Sequence, residues 1–346
     1  MKRILLIKPC CIGDVIFTTP LLAALRRAYP NAHITWAVNT PIAPVLHEHP
    51  HLNAVLEVGN VANPAAPRTL LPFVRQLRAV RAEAVFVPDR SRWQSIAAFL
   101  AGIPMRVGLN SGGRGFAYTH KATIQPDDVR HEAEIYLDLA RLLKLPTDDL
   151  WAFAPPTVTA AVTAEHALHA AHLKHGAFLM VHPGGGVNVG MRMIEKRWAA
   201  EHFAALAAQL AERLGAQIAV IGTASDQDAV ARFKAALAQP CLDWTERFSL
   251  TETAALAVRA ALYLGNDNGV GHLAAAAGAK VLMIFGPSDP RRYAPFVLPT
   301  QACAVWRPIT LPKGGVAGGV PPNFDWARDG VSVAEAYEAA CALLGL

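Results

Sequence analysis

The stretch RILLIKPCCIGDVIFTTPLLAALRRAYP, Arg3–Pro30, contains the first strand–loop–helix unit of the chain. Its apolar run at residues 4–7 predicts a buried strand, and the apolar periodicity from about Val15 to Ala28 predicts a helix. A single acidic residue, Asp14, stands in the small-residue loop between them. Ligands of open parallel sheets bind beyond the carboxyl ends of the strands. This position therefore makes Asp14 a candidate functional residue.

The alternation of short β-like runs and amphipathic helices continues along the chain and restarts near residue 178. This pattern predicts an α/β fold with two doubly wound, Rossmann-like domains in tandem. The stretch at residues 146–158, rich in Pro, Thr and Asp, predicts the linker between them. We therefore expect domains at residues 1–155 and 156–330, followed by a final helix within residues 331–346.

The composition is that of a globular protein, because 53% of the residues are apolar and 17% are charged. No apolar run approaches the roughly 18 residues that a bilayer span needs. The apolar run before Lys8 is too short for the core of a signal peptide. Five cysteines without a repeated C-x-x-C spacing argue against a disulfide framework and against a structural zinc site. These features predict a cytoplasmic protein with unpaired cysteines.

The net charge of +5 lies wholly in the first half of the chain. Residues 1–155 carry 17 Lys and Arg against 12 Asp and Glu, whereas residues 156–346 carry 15 of each. Such asymmetry indicates an anionic partner for the first domain: a nucleic acid, an acidic membrane surface or a phosphorylated substrate. A merely solvated basic surface is the alternative.

A glycine-rich loop follows the first strand of the second half, in the stretch HPGGGVNVGMRMIEKRW at His182–Trp198. Its three successive glycines, Gly184, Gly185 and Gly186, allow backbone amides to approach a ligand, and the loop leads into a helix whose N-terminus favours anions. Lys196 adds a cation to this candidate phosphate site. The alternative is a flexible surface loop with solvated basic residues.

A second polar loop lies in the stretch NDNGVGHLAAAAGAKVLMIFGPSDP, between a strand and a small-residue helix. The backbone amides of residues 268–271 are candidates for a ligand phosphate at the helix N-terminus. Asp267 alone is more typical of a helix cap than of a catalyst. His272 fits a phosphate contact and a structural histidine equally well.

Two stretches resemble metal sites. In HEHPH at residues 47–51, Pro50 breaks the helix that would place the histidines on one face. Asp226-Gln227-Asp228 matches the D-x-D pattern, but it stands at a predicted helix start, where capping is the better interpretation. A ribose contact from Asp226 is the alternative. The absence of G-x-S-x-G and of a strict G-x-G-x-x-G argues against a hydrolase and a dehydrogenase.

Taken in order, these motifs resemble glycosyltransferase family 9, the ADP-heptose:lipopolysaccharide heptosyltransferases. The resemblance spans nearly the whole chain and rests on five stretches, which are IGDVIFTTPLLAALRRAYP, AGIPMRVGL, HPGGGVNVGMRMIEKRW, IGTASDQDA and NDNGVGHLAAAAGAKVLMIFGPSDP. It implies a GT-B architecture of two Rossmann-like domains facing a central cleft. The first domain would bind the acceptor and the second the nucleotide sugar, and the final helix would pack back toward the first domain.

The resemblance also implies roles for individual residues. Asp14 matches the general base, with Gly13 leaving room for the acceptor, and Lys196 matches the lysine that neutralises the leaving diphosphate. The nucleotide-sugar contacts that it implies are Gly184, Gly185, Gly186, Asp226 at the ribose, Phe248 at the adenine, Asp267, Asn268, Gly269 and His272. Asn268 stands where the family has Ser or Thr. Among the dispersed arginines, Arg90 and Arg92 follow a strand end and are the candidates for acceptor contact.

The implied reaction is an inverting, metal-independent transfer of heptose from ADP-heptose to the Kdo or heptose of the lipopolysaccharide inner core. It needs no cofactor, and the partners would be the ADP-sugar donor and an anionic acceptor at the inner membrane, with peripheral membrane association and no nucleic acid. Another nucleotide sugar or another acceptor is the first alternative. A nucleotide-sugar epimerase would need further carboxylates around the sugar, and a non-enzymatic nucleotide-binding module would not need Asp14.

Overall fold

The computed structural model describes residues 1–59, 67–125, 128–188, 191–310 and 323–346. The chain forms two compact units, Met1–Ala154 and Pro155–Leu346. In the described part of the chain, no helix is both long enough and apolar enough to cross a membrane.

The first unit is a six-stranded parallel sheet with helices on its faces. Its strands are β1 (Arg3–Ile7), β2 (His33–Val38), β3 (Ala54–Glu57), β4 (Ala84–Val87), β5 (Met105–Ser111) and β6 (His120–Ile124). Its helices are α1 (Ile12–Ala28), α2 (Pro67–Ala79), α3 (Arg92–Leu100) and α4 (Glu132–Arg141). Helices α1 and α4 pack on each other, whereas α2 and α3 bury Phe73, Leu77 and Ala97 against β1 and β4.

The strand order in this sheet is β3-β2-β1-β4-β5-β6. The chain adds strands on one side of β1 as far as β3 and then on its other side from β4 to β6, so the topological switch point lies between β1 and β4. These two strands are neighbours, with Leu6 opposite Phe86. The loops after β1 and β4 therefore emerge side by side at the switch point, where open α/β sheets bind ligands. Asp14 follows β1 and Asp89 follows β4, so the topology brings the two carboxylates to one edge.

Helix α1 begins earlier than its apolar periodicity predicted. Cys11 is its N-cap and Ile12 its first residue, so Asp14 lies in the first helical turn and not in the preceding loop. A carboxylate is favoured there by the helix dipole. The periodicity located the buried face, which starts at Val15, whereas the first turn is only half-buried. Cys10 and Cys11 are joined by a disulfide, contrary to the expectation of unpaired cysteines.

The second unit repeats the architecture. Its strands are β7 (Phe178–His182), β8 (Val187–Asn188), β9 (Met191–Arg192), β10 (Gln217–Val220), β11 (Leu242–Asp243), β12 (Leu262–Asn266), β13 (Val281–Ile284) and β14 (Ala302–Val305). Its helices are α5 (Val158–Ala170), α6 (Ala200–Leu214), α7 (Gln227–Ala236), α8 (Leu250–Arg259), α9 (Gly269–Ala277), α10 (Pro290–Tyr293), α11 (Trp326–Asp329) and α12 (Val333–Leu344).

Its main sheet has the order β11-β10-β7-β12-β13-β14, and every pair in it is parallel. The switch point lies between β7 and β12, which are neighbours with Gly265 opposite His182. The glycine loop follows β7 and Asp267 follows β12, so both candidate phosphate loops emerge together. These two sheets confirm the predicted α/β class with two doubly wound domains.

The final helix, α12, begins with a capping box between Ser332 and Glu335 and ends at Gly345, whose φ of +75° is left-handed. Its buried residues, Ala336 and Ala340, belong to the apolar core of the second unit. The helix packs on α6, β13 and β14. Within the second unit these contacts anchor α12, and the expected packing toward the first domain stays a prediction.

The histidines at residues 47–51 have separate partners, although the ring centroids of His49 and His51 lie 5.5 Å apart. His47 Nε2 lies 3.4 Å from Glu57 Oε1. The Nε2 atom of buried His49 lies 2.9 Å from the carbonyl oxygen of Phe153, and its Nδ1 accepts from the backbone N–H of His51 at 3.2 Å. Across the described residues, no group of three or more His, Cys, Asp or Glu side chains is arranged to hold a metal ion.

Burial makes His49 a source of acid sensitivity. Burial, and to a smaller extent His51, lower the pKa of His49 to about 4, whereas an unfolded histidine titrates near 6.5. The depressed pKa means that the stabilisation is complete above about pH 6.5 and is lost as the pH falls toward 4. We expect a loss of about 3 kcal/mol in the free energy of unfolding from this residue.

Chemical denaturation at pH 7 and near pH 4.5 measures this contribution. In His49→Gln, a side-chain N–H can still reach the Phe153 carbonyl but nothing titrates in this range. The variant should therefore lose less stability on acidification than the wild type. An equal loss in both proteins would contradict the assignment.

Candidate active site

Asp14 is held by two side chains from different parts of the first unit. The hydroxyl of Tyr136, on α4, donates to Asp14 Oδ1 at 3.0 Å. Lys8 Nζ, directly after β1, lies 3.4 Å from Asp14 Oδ2. The Asp14 side chain is 36% exposed, whereas both partners are buried. The carboxylate is thus fixed in orientation while part of it stays accessible.

Lys8 places a positive charge between two carboxylates at the switch point. Its Nζ also lies 3.3 Å from Asp89 Oδ2, and Asp89 Oδ1 accepts from the backbone N–H of Ser91 at 2.7 Å. Burial alone would lower the pKa of Lys8, but Asp14 and Asp89 more than offset it and the pKa is raised. The ammonium therefore stays charged beside Asp14.

The predicted acceptor residues near this site differ in their availability. Arg90 forms a bidentate ion pair with buried Glu132, at 2.7 and 3.0 Å. Burial opposes its charge, but Glu132 raises the pKa of Arg90. Arg92 is exposed and lies 5.4 Å from the ring centroid of Trp93. Gly13 is half-buried in the first turn of α1. Arg90 is therefore engaged in an ion pair with the first residue of α4, whereas Arg92, the other predicted acceptor arginine, is exposed to solvent.

Asp226 holds the backbone of the glycine loop in the second unit. The backbone N–H of Gly185 donates to Asp226 Oδ1 at 2.8 Å. A Cβ atom on Gly184 would lie 2.3 Å from the Asp226 carboxylate, and Gly186 has a φ of +77°. Close approach at one position and a left-handed backbone at the other explain why glycine is needed. The backbone amide of Gly185, one of those predicted to bind a phosphate, thus donates its hydrogen bond to a side chain of the protein.

The Asp226 carboxylate is buried and engaged on both oxygens. It accepts from the backbone and the hydroxyl of Thr223 and from Arg197 Nη2, and His182 Nε2 lies 3.4 Å away. Burial would raise its pKa, but His182 and the backbone donors hold the pKa of Asp226 below its ordinary value. These contacts support a role in shaping the glycine loop. The ribose contact stays a prediction.

Lys196 and Asp267 form the charged centre of the second unit. Lys196 Nζ lies 2.5 Å from Asp267 Oδ2. The same oxygen accepts from the hydroxyl of buried Ser288 at 2.6 Å, and His272 Nε2 lies 3.4 Å from Oδ1. Burial would raise the pKa of Asp267, but Lys196 and His272 lower it. The structure therefore brings three predicted residues together around a buried carboxylate.

Asn268, and not Asp267, caps the following helix. Its Oδ1 accepts from the backbone N–H of Gly271 at 3.0 Å, and Gly269 is the first residue of α9. A Cβ atom on Gly185 would lie 2.7 Å from Asn268 Nδ2, so the cap also touches the glycine loop. The capping oxygen satisfies one of the amides predicted to face a phosphate, whereas the N-terminus of α9 retains its dipole.

Phe248 lies apart from these two clusters. It is half-buried and makes an edge contact with the ring of Trp244, with the centroids 5.6 Å apart. Trp244 in turn contacts Phe178 in β7. The backbone N–H of Trp244 donates to the carbonyl oxygen of Val220 at 2.9 Å, so the segment that carries Phe248 starts at the carboxyl end of β10.

Several residues of these clusters were not predicted from the sequence. Lys8 was visible as a lysine directly after a buried strand, which is a signal for a buried charge at the sheet edge. Tyr136 and Ser288 carry no such signal, because each lies in the sequence far from the carboxylate that it contacts. Asn266 also holds the glycine loop, donating to the carbonyl oxygens of Pro183 and Gly184 at 3.0 Å.

Comparisons with known proteins agree with this architecture. The family model for glycosyltransferase family 9 (heptosyltransferase) matches residues 70–309. Lipopolysaccharide heptosyltransferase 2 of Escherichia coli K12 is 26% identical over 301 residues, which are 83% of this chain and 84% of that protein.

Two solved structures share the fold. The glycosyl transferase family 9 protein from Veillonella parvula has a TM-score of 0.83 and 23% identity, covering 99% of this chain and 97% of that one. The E. coli ADP-heptose lps heptosyltransferase II has a TM-score of 0.76 and 23% identity, covering 99% and 98%. The similarity confirms the predicted GT-B class. Because the family model matches more than half of the sequence, the chain belongs to glycosyltransferase family 9 (heptosyltransferase) and is a glycosyltransferase.

Proposed function

We propose that the protein transfers heptose from ADP-heptose to the inner core of lipopolysaccharide, with inversion at the anomeric carbon and without a metal ion. The donor and the acceptor class are taken from the E. coli relatives, whose names specify an ADP-heptose and a lipopolysaccharide heptosyltransferase. The observation that carries the proposal is Asp14, a part-exposed carboxylate at the switch point of the first sheet.

In the proposed step, an acceptor hydroxyl attacks the anomeric carbon of the heptose and its oxygen forms the new glycosidic bond. The bond from that carbon to the phosphate oxygen breaks, and ADP leaves with the electron pair. Asp14 takes the hydroxyl proton. A single displacement inverts the configuration and needs one carboxylate as base, with no carboxylate nucleophile. Tyr136 and Lys8 hold the Asp14 carboxylate in a fixed orientation for this task.

The second unit supplies the groups that favour the departing diphosphate. Lys196 provides a cation, and the N-terminus of α9 provides backbone dipoles beside Asn268 and Gly269. Such fixed charges stabilise negative charge that develops in the transition state, which is the role that a divalent metal has in other sugar transfers. Asp267 holds Lys196 in place, and Phe248 and Asp226 are proposed for the adenosine.

The acceptor is proposed to be anionic, which matches the positive surplus of the first half of the sequence. Kdo carries a carboxylate, and a heptose acceptor would be part of the same anionic inner core. Arg92 and Gly13 are proposed to contact the acceptor, whereas Arg90 acts through its ion pair with Glu132. We further propose peripheral association with the cytoplasmic face of the membrane that holds this lipid.

The test is transfer by the purified protein in the presence of EDTA. ADP release and acceptor mass are followed with ADP-heptose and either Kdo-lipid A or a heptosylated acceptor, and NMR of the product gives the anomeric configuration. We expect the acceptor to gain one heptose with inverted configuration. If another nucleotide sugar is consumed instead, the heptose assignment is wrong. Activity that EDTA abolishes and a divalent ion restores would contradict metal independence.

A further inference from the structure

The first unit exposes aromatic and aliphatic side chains next to basic ones. Phe116 is 61% exposed, Phe99 is 56% exposed and Leu100 is 40% exposed. Leaving such side chains in water is unfavourable, and apolar side chains grouped on a surface mark an interaction site. We call the surface formed by Arg78, Phe99, Leu100, Arg106, Phe116 and Lys121 the aromatic–cationic face.

Direct contacts join these residues into one surface. Arg78 Nη2 donates to the carbonyl oxygen of Leu100 at 2.5 Å. The guanidinium of Arg106 lies 5.4 Å from the ring centroid of Phe99 and donates to the carbonyl oxygen of Ala117 at 2.8 Å. Lys121 Nζ donates to the carbonyl oxygen of Phe116 at 3.2 Å. Helices α2 and α3 and strands β5 and β6 thus contribute to one continuous face.

The cations of this face have no acidic partner within the described part of the chain. The side-chain hydrogen bonds of Arg78, Arg106 and Lys121 go to carbonyl oxygens, which leave the positive charge uncompensated. Residues 67–125 contain nine Arg and Lys but two acidic residues. Of these two, Glu83 accepts from the backbone N–H of Lys2, and Asp89 pairs with Lys8.

We propose that the aromatic–cationic face docks on an anionic lipid bilayer. Its chemistry matches the membrane interface, where phosphate groups lie directly above acyl chains: the cations bind lipid phosphates and the apolar side chains enter the boundary beneath them. The phosphates of a nucleic acid would bind the cations, but a nucleic acid has no apolar layer in which Leu100 could be buried. A second copy docked through the same face would bring like charges together.

This inference deepens the peripheral association proposed above, but its test uses no sugar donor and no lipopolysaccharide. Failure of the transfer reaction and failure of membrane docking are therefore distinguishable. The probes are vesicles of phosphatidylglycerol and phosphatidylethanolamine and neutral vesicles of phosphatidylcholine, and co-sedimentation of the full chain gives the partition coefficient. Wild-type protein should bind the anionic vesicles at about 0.1 M salt and be released near 1 M, where charges are screened beyond about 3 Å.

Two variants separate the contributions. Arg78→Gln/Lys121→Gln should weaken binding to anionic vesicles about 30-fold, because each basic residue near the surface contributes about fivefold. Phe99→Ser/Phe116→Ser should weaken it at least about tenfold. The control Val258→Ser/Leu298→Ser removes two exposed apolar side chains from the second unit and should bind as the wild type does.

Equal wild-type binding to neutral and anionic vesicles would overturn the proposal, as would unchanged binding by both face variants. A third outcome would also overturn it: concentration-dependent dimerisation that the face variants abolish, without vesicle binding, would assign the face to a second copy. A fourth outcome is an oligonucleotide that binds more tightly than the vesicles and competes with them for the same cations. If the phenylalanine changes then have no effect, the face is assigned to a nucleic acid.

Discussion

Asp14→Asn is expected to reduce kcat for heptose transfer by about 100- to 10,000-fold while the KM for ADP-heptose changes little. That range is what a positioned general base typically contributes. An asparagine amide has nearly the same shape as the carboxylate, and its oxygen can still accept from the hydroxyl of Tyr136, but it cannot take a proton from the acceptor. The proposed donor-binding residues lie in the second unit, so donor binding should persist.

The change also removes one of the two carboxylates around Lys8, and this effect has to be separated from the loss of the base. Asp89→Asn is the matched control, because Asp89 lies as close to Lys8 as Asp14 does, at 3.3 and 3.4 Å. If proton acceptance is the role of Asp14, the Asp89 variant should retain most of its activity.

Steady-state kinetics of ADP release, with thermal unfolding of each variant, make the comparison. An equal loss in the two variants would assign the effect to the electrostatic surroundings of Lys8 and remove Asp14 as the base. Full activity of Asp14→Asn would have the same consequence for the proposed mechanism.

How far the fold follows from sequence pattern depends on where a strand lies in its sheet. The central strands β1, β4, β7 and β12 are buried on both faces and show as apolar runs, so the alternation predicted them. Strands β5, β6 and β14 and the two-residue strands β8, β9 and β11 were not predicted. Gly108 interrupts the pattern of β5 for a tertiary reason, because a Cβ atom there would lie 2.3 Å from the ring of Tyr118.

For the candidate site, sequence predicted the residues that lie next to a strand end and missed those that reach the site from elsewhere. Asp14 lies in the first turn of α1, and Lys196 and Asp267 lie between a strand and the helix that follows it, all in segments that the βα pattern locates. Tyr136 approaches Asp14 across 122 positions of sequence, and only the packing of α4 on α1 brings it there. The sequence also did not predict that Asp226 is buried, because a D-x-D pattern does not show which groups surround each carboxylate.

Lys196→Met is expected to lower kcat by about 100- to 1,000-fold, the range for removing one preorganised donor to a developing negative charge. Methionine keeps the length and much of the apolar stem of lysine but loses the ammonium group. The departing diphosphate would then lack its proposed cation. ADP affinity, measured by calorimetry, should fall less than kcat, because charge on the leaving oxygen is greatest in the transition state.

The same change leaves Asp267 buried without its ion pair, so lost activity alone would not identify the role of Lys196. Breaking a buried pair from one side destabilises by about 3 kcal/mol. The double variant Lys196→Met/Asp267→Asn removes both charges, and its asparagine oxygen can still accept from Ser288. We therefore expect unfolding of the double variant to return toward that of the wild type.

Activity of this double variant decides between the two roles. If Lys196 stabilises the leaving group, kcat should stay low although stability is restored, because no cation is present. If kcat recovers together with stability, Lys196 only compensates the charge of Asp267, and the leaving group must be stabilised by the N-terminus of α9 alone. The two roles predict opposite results because stability responds to the balance of charges in the buried pair, whereas leaving-group stabilisation requires the cation itself.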